Sequence, residues 1–249
     1  MEKNYVARYA HHERTHWWFR ARLQLLQFQI ARILRKEGLK TPLRVLNIGA
    51  GGGATSAMLE AFGAVKSVEY DADLFIYCRD TLGLDVDQAS VTELPYADGA
   101  FDLVCVFDVL EHVEDDVKAL SEMHRVTRAG GMLFVTVPAF QALWSSHDRA
   151  NNHLRRYTAP MLNARARSVG LRLRLSSYFN FLLFPPIVLA RLADRLRPAK
   201  AVEPGDFDRY QAGGFVNSLL FRIFRSERRL MSLTRLPFGL SVFAAYRRP

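Results

Sequence analysis

A short apolar run that ends in a glycine cluster constrains this chain more than any other feature. Leu43-Arg44-Val45-Leu46-Asn47-Ile48 reads as a buried strand, and Gly49-Ala50-Gly51-Gly52-Gly53 follows it directly. Ala54 to Phe62, rich in helix formers, comes next. A chain that turns from strand into helix this tightly needs glycine, and bare backbone lets another group come close. The helix start adds the positive end of a dipole. Val65 to Tyr70 then reads as a strand, and Leu74 to Leu82 as a helix closed by Gly83. Phe101 to Phe107 is an apolar strand after an Asp98-Gly99 turn. Val113, Val117, Leu120 and Met123 keep helical spacing up to Gly130-Gly131, and Met132 to Val137 is a strand halted by Pro138. Strands alternating with helices in this way predict an α/β fold with a doubly wound, mainly parallel sheet.

Beyond Gly170, Leu171 to Leu175 alternates strictly, and Leu240 to Tyr246 is the last strand candidate. Between them, residues 179–238 read as an insertion of two apolar, arginine-bearing helical stretches. Ahead of the first strand, residues 5–36 read as one aromatic-rich helical segment stopped by Gly38 and Pro42. The expected division is a helical cap over residues 1–41, a central domain over 42–178 and 239–249, and a basic amphipathic insertion over 179–238.

Charge is unevenly placed. Residues 1–164 hold 18 Lys/Arg against 20 Asp/Glu, whereas residues 165–249 hold 16 against 5. The net +9 therefore sits in the last third. Such a face can meet an anionic membrane or an acidic ligand; charge alone does not select a nucleic acid. Cys78 and Cys105 cannot build a disulfide framework or a zinc knot. No run is apolar over the roughly 20 residues a spanning helix needs. The expected place is the cytoplasm, at the inner membrane surface if the basic third binds lipid.

Taken alone, Gly49-x-Gly51-x-x-Ala54 also fits a dinucleotide fingerprint, with Glu69 twenty residues beyond Gly49 where a ribose-binding acid belongs. Other stretches separate the cofactors. Val45 to Gly53, Val68-Glu69-Tyr70-Asp71, Glu93-Leu94-Pro95-Tyr96, Phe101 to Val104, Asp108-Val109-Leu110-Glu111-His112-Val113 and Arg125 to Gly131 stand in fixed order across residues 43–138. As a set they resemble the class I methyltransferases that use S-adenosylmethionine, in the ubiquinone-pathway-like, type 11 branch. The resemblance implies a Rossmann-like, seven-stranded sheet with its last strand antiparallel. It also implies that Gly49, Ala50, Gly51 and Gly53 lie beside the cofactor and that Glu69 holds the ribose. Tyr70 and Asp71 would flank the adenine end, Ser90 and Val91 would line its pocket, and Asp108 would lie under the methionine part. Asn47 and Ser90 stand where that family usually has acids; Asn47 keeps hydrogen-bonding capacity without the charge.

The acceptor side is expected after Pro138, at Leu143-Trp144-Ser145-Ser146-His147-Asp148 and His153-Leu154-Arg155-Arg156-Tyr157. His147 or His153 is the candidate base, since a hydroxyl acceptor needs one. Trp144, Arg155, Arg156 and Tyr157 are candidates for gripping the acceptor; the alternative is that His153, Arg155 and Tyr157 fix the loop onto the following helix. The expected reaction is O-methylation of a small-molecule or lipid-linked acceptor; the alternative is a catalytically weak interaction module at a membrane surface. Asp108, Glu111 and His112, at i, i+3 and i+4, could share a metal, but a polar helix start is the preferred reading and no metal is expected. His12-Glu13-Arg14-Thr15-His16 matches the zinc-protease pattern. It ranks lowest, because Arg14 puts a cation between the ligands and no third ligand follows.

Overall fold

The computed structural model describes residues 3–195 and 214–249. Seven strands run through it: β1 (Leu43–Ile48), β2 (Gly63–Glu69), β3 (Val86–Gln88), β4 (Phe101–Phe107), β5 (Thr127–Pro138), β6 (Arg172–Phe179) and β7 (Ser241–Arg247). They form one sheet in the order β3-β2-β1-β4-β5-β7-β6. β1 pairs in parallel with β2 and β4, and β4 with β5, while β7 is antiparallel to both β5 and β6. The expected doubly wound sheet with an antiparallel last strand is present. The chain winds outward from β1 to β3 and returns to β4, so the switch point lies between β1 and β4. Ligands in such sheets bind beyond the carboxyl ends of the strands at that point.

The helices are α1 (Lys3–Thr15), α2 (Trp17–Lys36), α3 (Ala54–Leu59), α4 (Ala72–Ile76), α5 (Asp116–Val126), α6 (Ser146–Ala150), α7 (Ala159–Ser168), α8 (Phe184–Arg195) and α9 (Gly214–Leu233). Side chains alternate between the two sheet faces. Leu46, Ile48, Val104 and Val106 pack toward α5 and α7 with Leu120, Met123 and Leu162. Val45, Leu103, Cys105 and Phe107 pack toward α2 and α9 with Leu26, Ile30, Phe224 and Met231. The second helix of the expected insertion thus shares a layer with α2. Gln29 Nε2 donates to the Arg228 carbonyl at 3.0 Å across that contact.

Two elements depart from the sequence reading. The single segment over 5–36 is two helices, broken at His16, whose extended backbone and ring nitrogen cap α2 through Trp18 N–H. The three-residue β3 was not anticipated, because so short a strand shows no periodicity; its place is set by pairing Ser67 to Glu69 with Val86 to Gln88. Trp17 and Trp18 pack between α2 and α9, against Phe224 at centroid distances of 6.3 and 6.4 Å.

Candidate active site

The glycine turn after β1 is built on left-handed backbone, with φ +82° at Gly49 and +87° at Gly53. Gly49 and Ala50 N–H both donate to the Val68 carbonyl, at 2.8 and 3.1 Å, which ties the turn to β2. Glu69 closes β2. Its Oε2 accepts from Gly51 N–H at 2.9 Å, and its Oε1 from Tyr70 and Asp71 N–H at 2.9 and 3.0 Å. Burial raises its carboxyl above the ordinary range, against those three amides. Each carboxylate oxygen can accept two bonds, so acceptor capacity is left over.

The other expected cofactor residues divide by what their side chains already do. Tyr70 is 76% exposed beside Glu69. Asp71 caps α4, accepting from Asp73 and Leu74 N–H, both at 3.0 Å. Ser90 pairs with the Thr92 hydroxyl at 2.8 Å, and Val91 is buried in the core. Asn47 does not reach the open face. It is fully buried and donates from Nδ2 to Thr55 Oγ1 and Ser56 Oγ, at 3.0 and 2.9 Å, while its Oδ1 has no partner. Asn47 therefore supports the turn from below by holding the start of α3.

Two residues of this region were missed as such. Glu13, on α1, lies over the glycine turn: a Cβ added to Gly52 would fall 2.6 Å from Glu13 Oε2 and 2.7 Å from Ala10 Cα. Its Oε2 accepts from Ala54 N–H, at the dipole end of α3, and burial pushes its carboxyl up to about 7. This corrects the zinc-protease reading of His12-Glu13-x-x-His16: the Glu13 carboxylate is on the turn, and the His16 ring caps α2. Arg22, on α2, is buried, pairs with Asp108 Oδ2 at 2.7 Å, and donates to Thr136 Oγ1 at 3.0 Å. Asp108 follows β4 with φ +55° and also accepts from Thr136 Oγ1. No local pattern marks Arg22, since its partners are far away in the chain.

On the acceptor side, the loop after β5 is organised by buried Asp148. Arg156 donates to both its oxygens, from Nε at 2.7 Å and Nη2 at 2.9 Å, and His153 Nδ1 lies 2.9 Å from Oδ1. Burial opposes ionisation of Asp148, but His153 and Arg156 overcome it and hold the carboxyl well below the usual range. Tyr157 is fully buried, with its hydroxyl on the Leu110 carbonyl and Asp116 Oδ2 at 3.1 and 2.6 Å. Arg155 pairs with Asp116 at 3.0 Å. The expectation that Arg156 and Tyr157 grip an acceptor is thus corrected: their polar groups are spent on fixing the loop. Trp144, half-buried, and Arg155 stay near the loop surface. His153 meets His112 at a centroid distance of 4.8 Å and His147 at 6.1 Å. Among the described residues, Glu111, His112 and His153 have ligand-type atoms all within 4.8 Å of one another. Asp108 is outside that group, because β4 leads into a short turn over Leu110–His112 and not a long helix face.

A sheet of this order, with a glycine turn after β1 and an amide-clasped carboxylate ending β2, defines a nucleoside-cofactor fold of the class I methyltransferase type. Residues 46–135 match the family model described as a methyltransferase domain. Over that stretch the chain is similar to methyltransferase domains of the type 11 branch. It is 33% identical over 132 residues to a ubiquinone/menaquinone biosynthesis C-methyltransferase of Bdellovibrio bacteriovorus, covering 47% of this chain and 56% of that one. It spans about half the length of that relative and of a demethylmenaquinone methyltransferase of Beutenbergia cavernae, of which it covers 42%. A structure described as a putative sarcosine dimethylglycine methyltransferase from Galdieria sulphuraria superposes with a TM-score of 0.58 at 16% identity, over 90% of this chain and 85% of that one. Likeness at that identity speaks for the fold.

The residues present fit S-adenosylmethionine. The one acceptor site left on Glu69, at Oε2, suits a ribose hydroxyl, and the Glu13 carboxylate, when ionised, suits a cationic cofactor. α1 also covers Gly51 and Gly52 with Tyr9, Ala10 and Glu13, so any group meeting those glycines meets α1 as well.

Proposed function

We propose that this chain methylates a hydroxyl of a small-molecule acceptor at the carboxyl edge of the sheet. S-adenosylmethionine, when bound, supplies an electrophilic methyl carbon on a sulfonium. Gly49, Ala50, Gly51 and Gly53 would hold it by backbone, and Glu69 by its one free acceptor site. Tyr70, Asp71, Ser90 and Val91 would border its adenine end, with Asp108 toward its methionine part and Asn47 acting from beneath the turn. The protein's task is to place the acceptor oxygen in line, and positioning supplies much of such a rate. The histidine edge of His147 and His153 takes the acceptor's proton. One observation carries this reading: the turn after β1, the carboxylate ending β2, Asp108 after β4 and the histidine loop after β5 all follow the same ends of neighbouring strands. Calorimetric titration with S-adenosylmethionine and its demethylated product tests it. Wild type binds both, and Glu69→Ala weakens both by about tenfold or more, as expected for lost bonds to a charged group. Wild type that binds neither ends the reading.

A lipid-linked acceptor at an anionic membrane is supported by one further feature. Leu189 on α8 is 66% exposed, and on α9 Phe215 and Leu219 are 81% and 46% exposed, with Arg222 and Arg229 exposed along the same helix. Apolar side chains among arginines suit the headgroup boundary. No described helix is long and apolar enough to cross a membrane. Salt-sensitive co-sedimentation with anionic vesicles supports this placement; equal absence from anionic and neutral vesicles removes it.

A further inference from the structure

We propose that Glu13 of α1 selects which nucleotide this domain accepts. Its carboxylate occupies the place on the glycine turn that a dinucleotide's pyrophosphate needs, so it shuts out dinucleotides and favours a cationic nucleoside. The sequence leaves that choice open, because Gly49-x-Gly51-x-x-Ala54 with Glu69 fits a dinucleotide fingerprint as well. In the dinucleotide arrangement the pyrophosphate lies against bare glycines and takes their free N–H groups. Here those donors are taken from within the chain.

The first support is occupancy. Glu13 Oε2 accepts from Ala54 N–H at 3.3 Å, and the carboxylate also receives Gly52 N–H and the Tyr9 hydroxyl. Glu13 is only 6% exposed, so it is packed on the turn. A Cβ on Gly52 would fall 2.6 Å from Oε2, and one on Gly51 3.1 Å from Oε1. Where a single carbon does not fit, a phosphate does not either.

The second support is charge. Glu69 Oε2 accepts from Gly51 N–H on the other side, so Gly51 lies between two carboxylates. Both acids act on Cys78, whose Sγ donates to the Gly51 carbonyl at 3.2 Å. The cation that acts on Glu13, Arg22, is already paired with Asp108 at 2.7 Å. A pyrophosphate would meet repulsion there, whereas a sulfonium nucleoside meets attraction and favours the ionised form of Glu13. Asn47 is the third support. It brings no charge to the turn from below, and its amide is held by Thr55 and Ser56. Glu13 provides that charge from above. Repelling the wrong ligand in this way gives selectivity as surely as attracting the right one. The identity of the favoured nucleoside rests on the methyl-transfer reading; the exclusion of dinucleotides does not.

The test uses the full chain, with a chelator present so that nucleotides carry no metal. Adenosine, adenosine diphosphate and S-adenosylmethionine are titrated by calorimetry. All three offer a ribose to Glu69 and differ in charge at the turn. Wild type binds S-adenosylmethionine more tightly than adenosine, and adenosine more tightly than the diphosphate. Glu13→Gln keeps the shape without the charge; it weakens S-adenosylmethionine by about tenfold or more and leaves adenosine unchanged. Glu13→Ala also opens the space, and the diphosphate tightens until it overtakes adenosine. A ligand gained cannot come from a damaged fold. Glu60→Gln, which removes an exposed charge elsewhere, changes none of the three. Wild type that rejects S-adenosylmethionine, with the diphosphate gain in Glu13→Ala intact, removes the methyl-transfer reading and leaves the exclusion standing. Wild type that takes the diphosphate as tightly as adenosine overturns the proposal. So do Glu13→Gln and Glu13→Ala variants that both keep the wild-type order of affinities, and a chain that binds none of the three in any form.

Discussion

Tyr157 donates its one hydroxyl proton to Asp116, with the Leu110 carbonyl also within reach, from a fully buried position, and Asp116 also receives Arg155 and Arg165. Removing one hydroxyl leaves the aspartate with both arginines and the Leu110 carbonyl with the Val113 N–H, so the loss is that of one buried hydrogen bond to a charged group. Tyr157→Phe is therefore expected to cost about 1–2 kcal/mol of stability, read by denaturant titration, with cofactor affinity unchanged. Asp148 is a harsher case, because Arg156 is almost wholly buried and bonds both its oxygens. Asp148→Ala leaves that guanidinium uncompensated, and a loss of about 3–5 kcal/mol is expected. A variant as stable as wild type would mean that Arg156 finds another anion. At this scale the sequence was half legible. The His147–Tyr157 segment stood out as a polar cluster near a sheet edge, but its partners Asp116 and Asp148 could not be assigned. Whether an arginine grips a ligand or a buried aspartate depends on contacts across the fold, and local spacing does not carry them.

Among the elements, α1 has the most to lose or gain when the glycine turn is filled. Tyr9, Ala10 and Glu13 touch the backbone of Gly51 and Gly52, whereas α9 packs on α2 through Phe224 and Met231. Adding the demethylated cofactor product is expected to change amide hydrogen exchange over residues 8–15 together with the turn, and to leave α9 unchanged. Exchange that changes at the turn alone would show that α1 is only a neighbour. The β1–turn–α3 unit was readable from composition, since the glycines, the strand before them and the helix formers after them all agree. The break at His16 was not, because a histidine as helix cap leaves no residue signature. Glu13 was seen, but as part of a zinc pattern. Only the packing of α1 on the turn shows where its carboxylate goes.

Over the whole molecule, two sets of carboxyls pull stability in opposite directions along the pH axis. Glu13, Glu69, Glu111 and Glu227 are raised, in each case first by burial. A raised carboxyl favours the fold while neutral: its contribution is complete below the unfolded value, 4.5, and is lost as pH climbs through the folded one, about 7 for Glu13. Asp102 is lowered to about 2, because Arg44 and Arg128 outweigh its burial; Asp148 is lowered by His153 and Arg156, and Glu37 by Arg174 and Arg247. Their contribution is complete above 3.8 for the aspartates and 4.5 for Glu37, and disappears as pH falls toward the folded values. Stability of the ligand-free chain should therefore decline from near neutrality toward pH 8, while His147, His112 and His124, lowered first by burial, offset part of the glutamates' gain below 6.5. Denaturation midpoints across that range check it, with two variants to separate the limbs. Glu13→Gln flattens the decline between about pH 5 and 8, since the amide cannot ionise, and leaves the acid limb as it was. Asp102→Asn does the reverse. A wild-type midpoint that rises steadily from pH 5 to 8 would mean that the buried glutamates ionise without cost, and that Glu13 does not lie desolvated on the glycine turn.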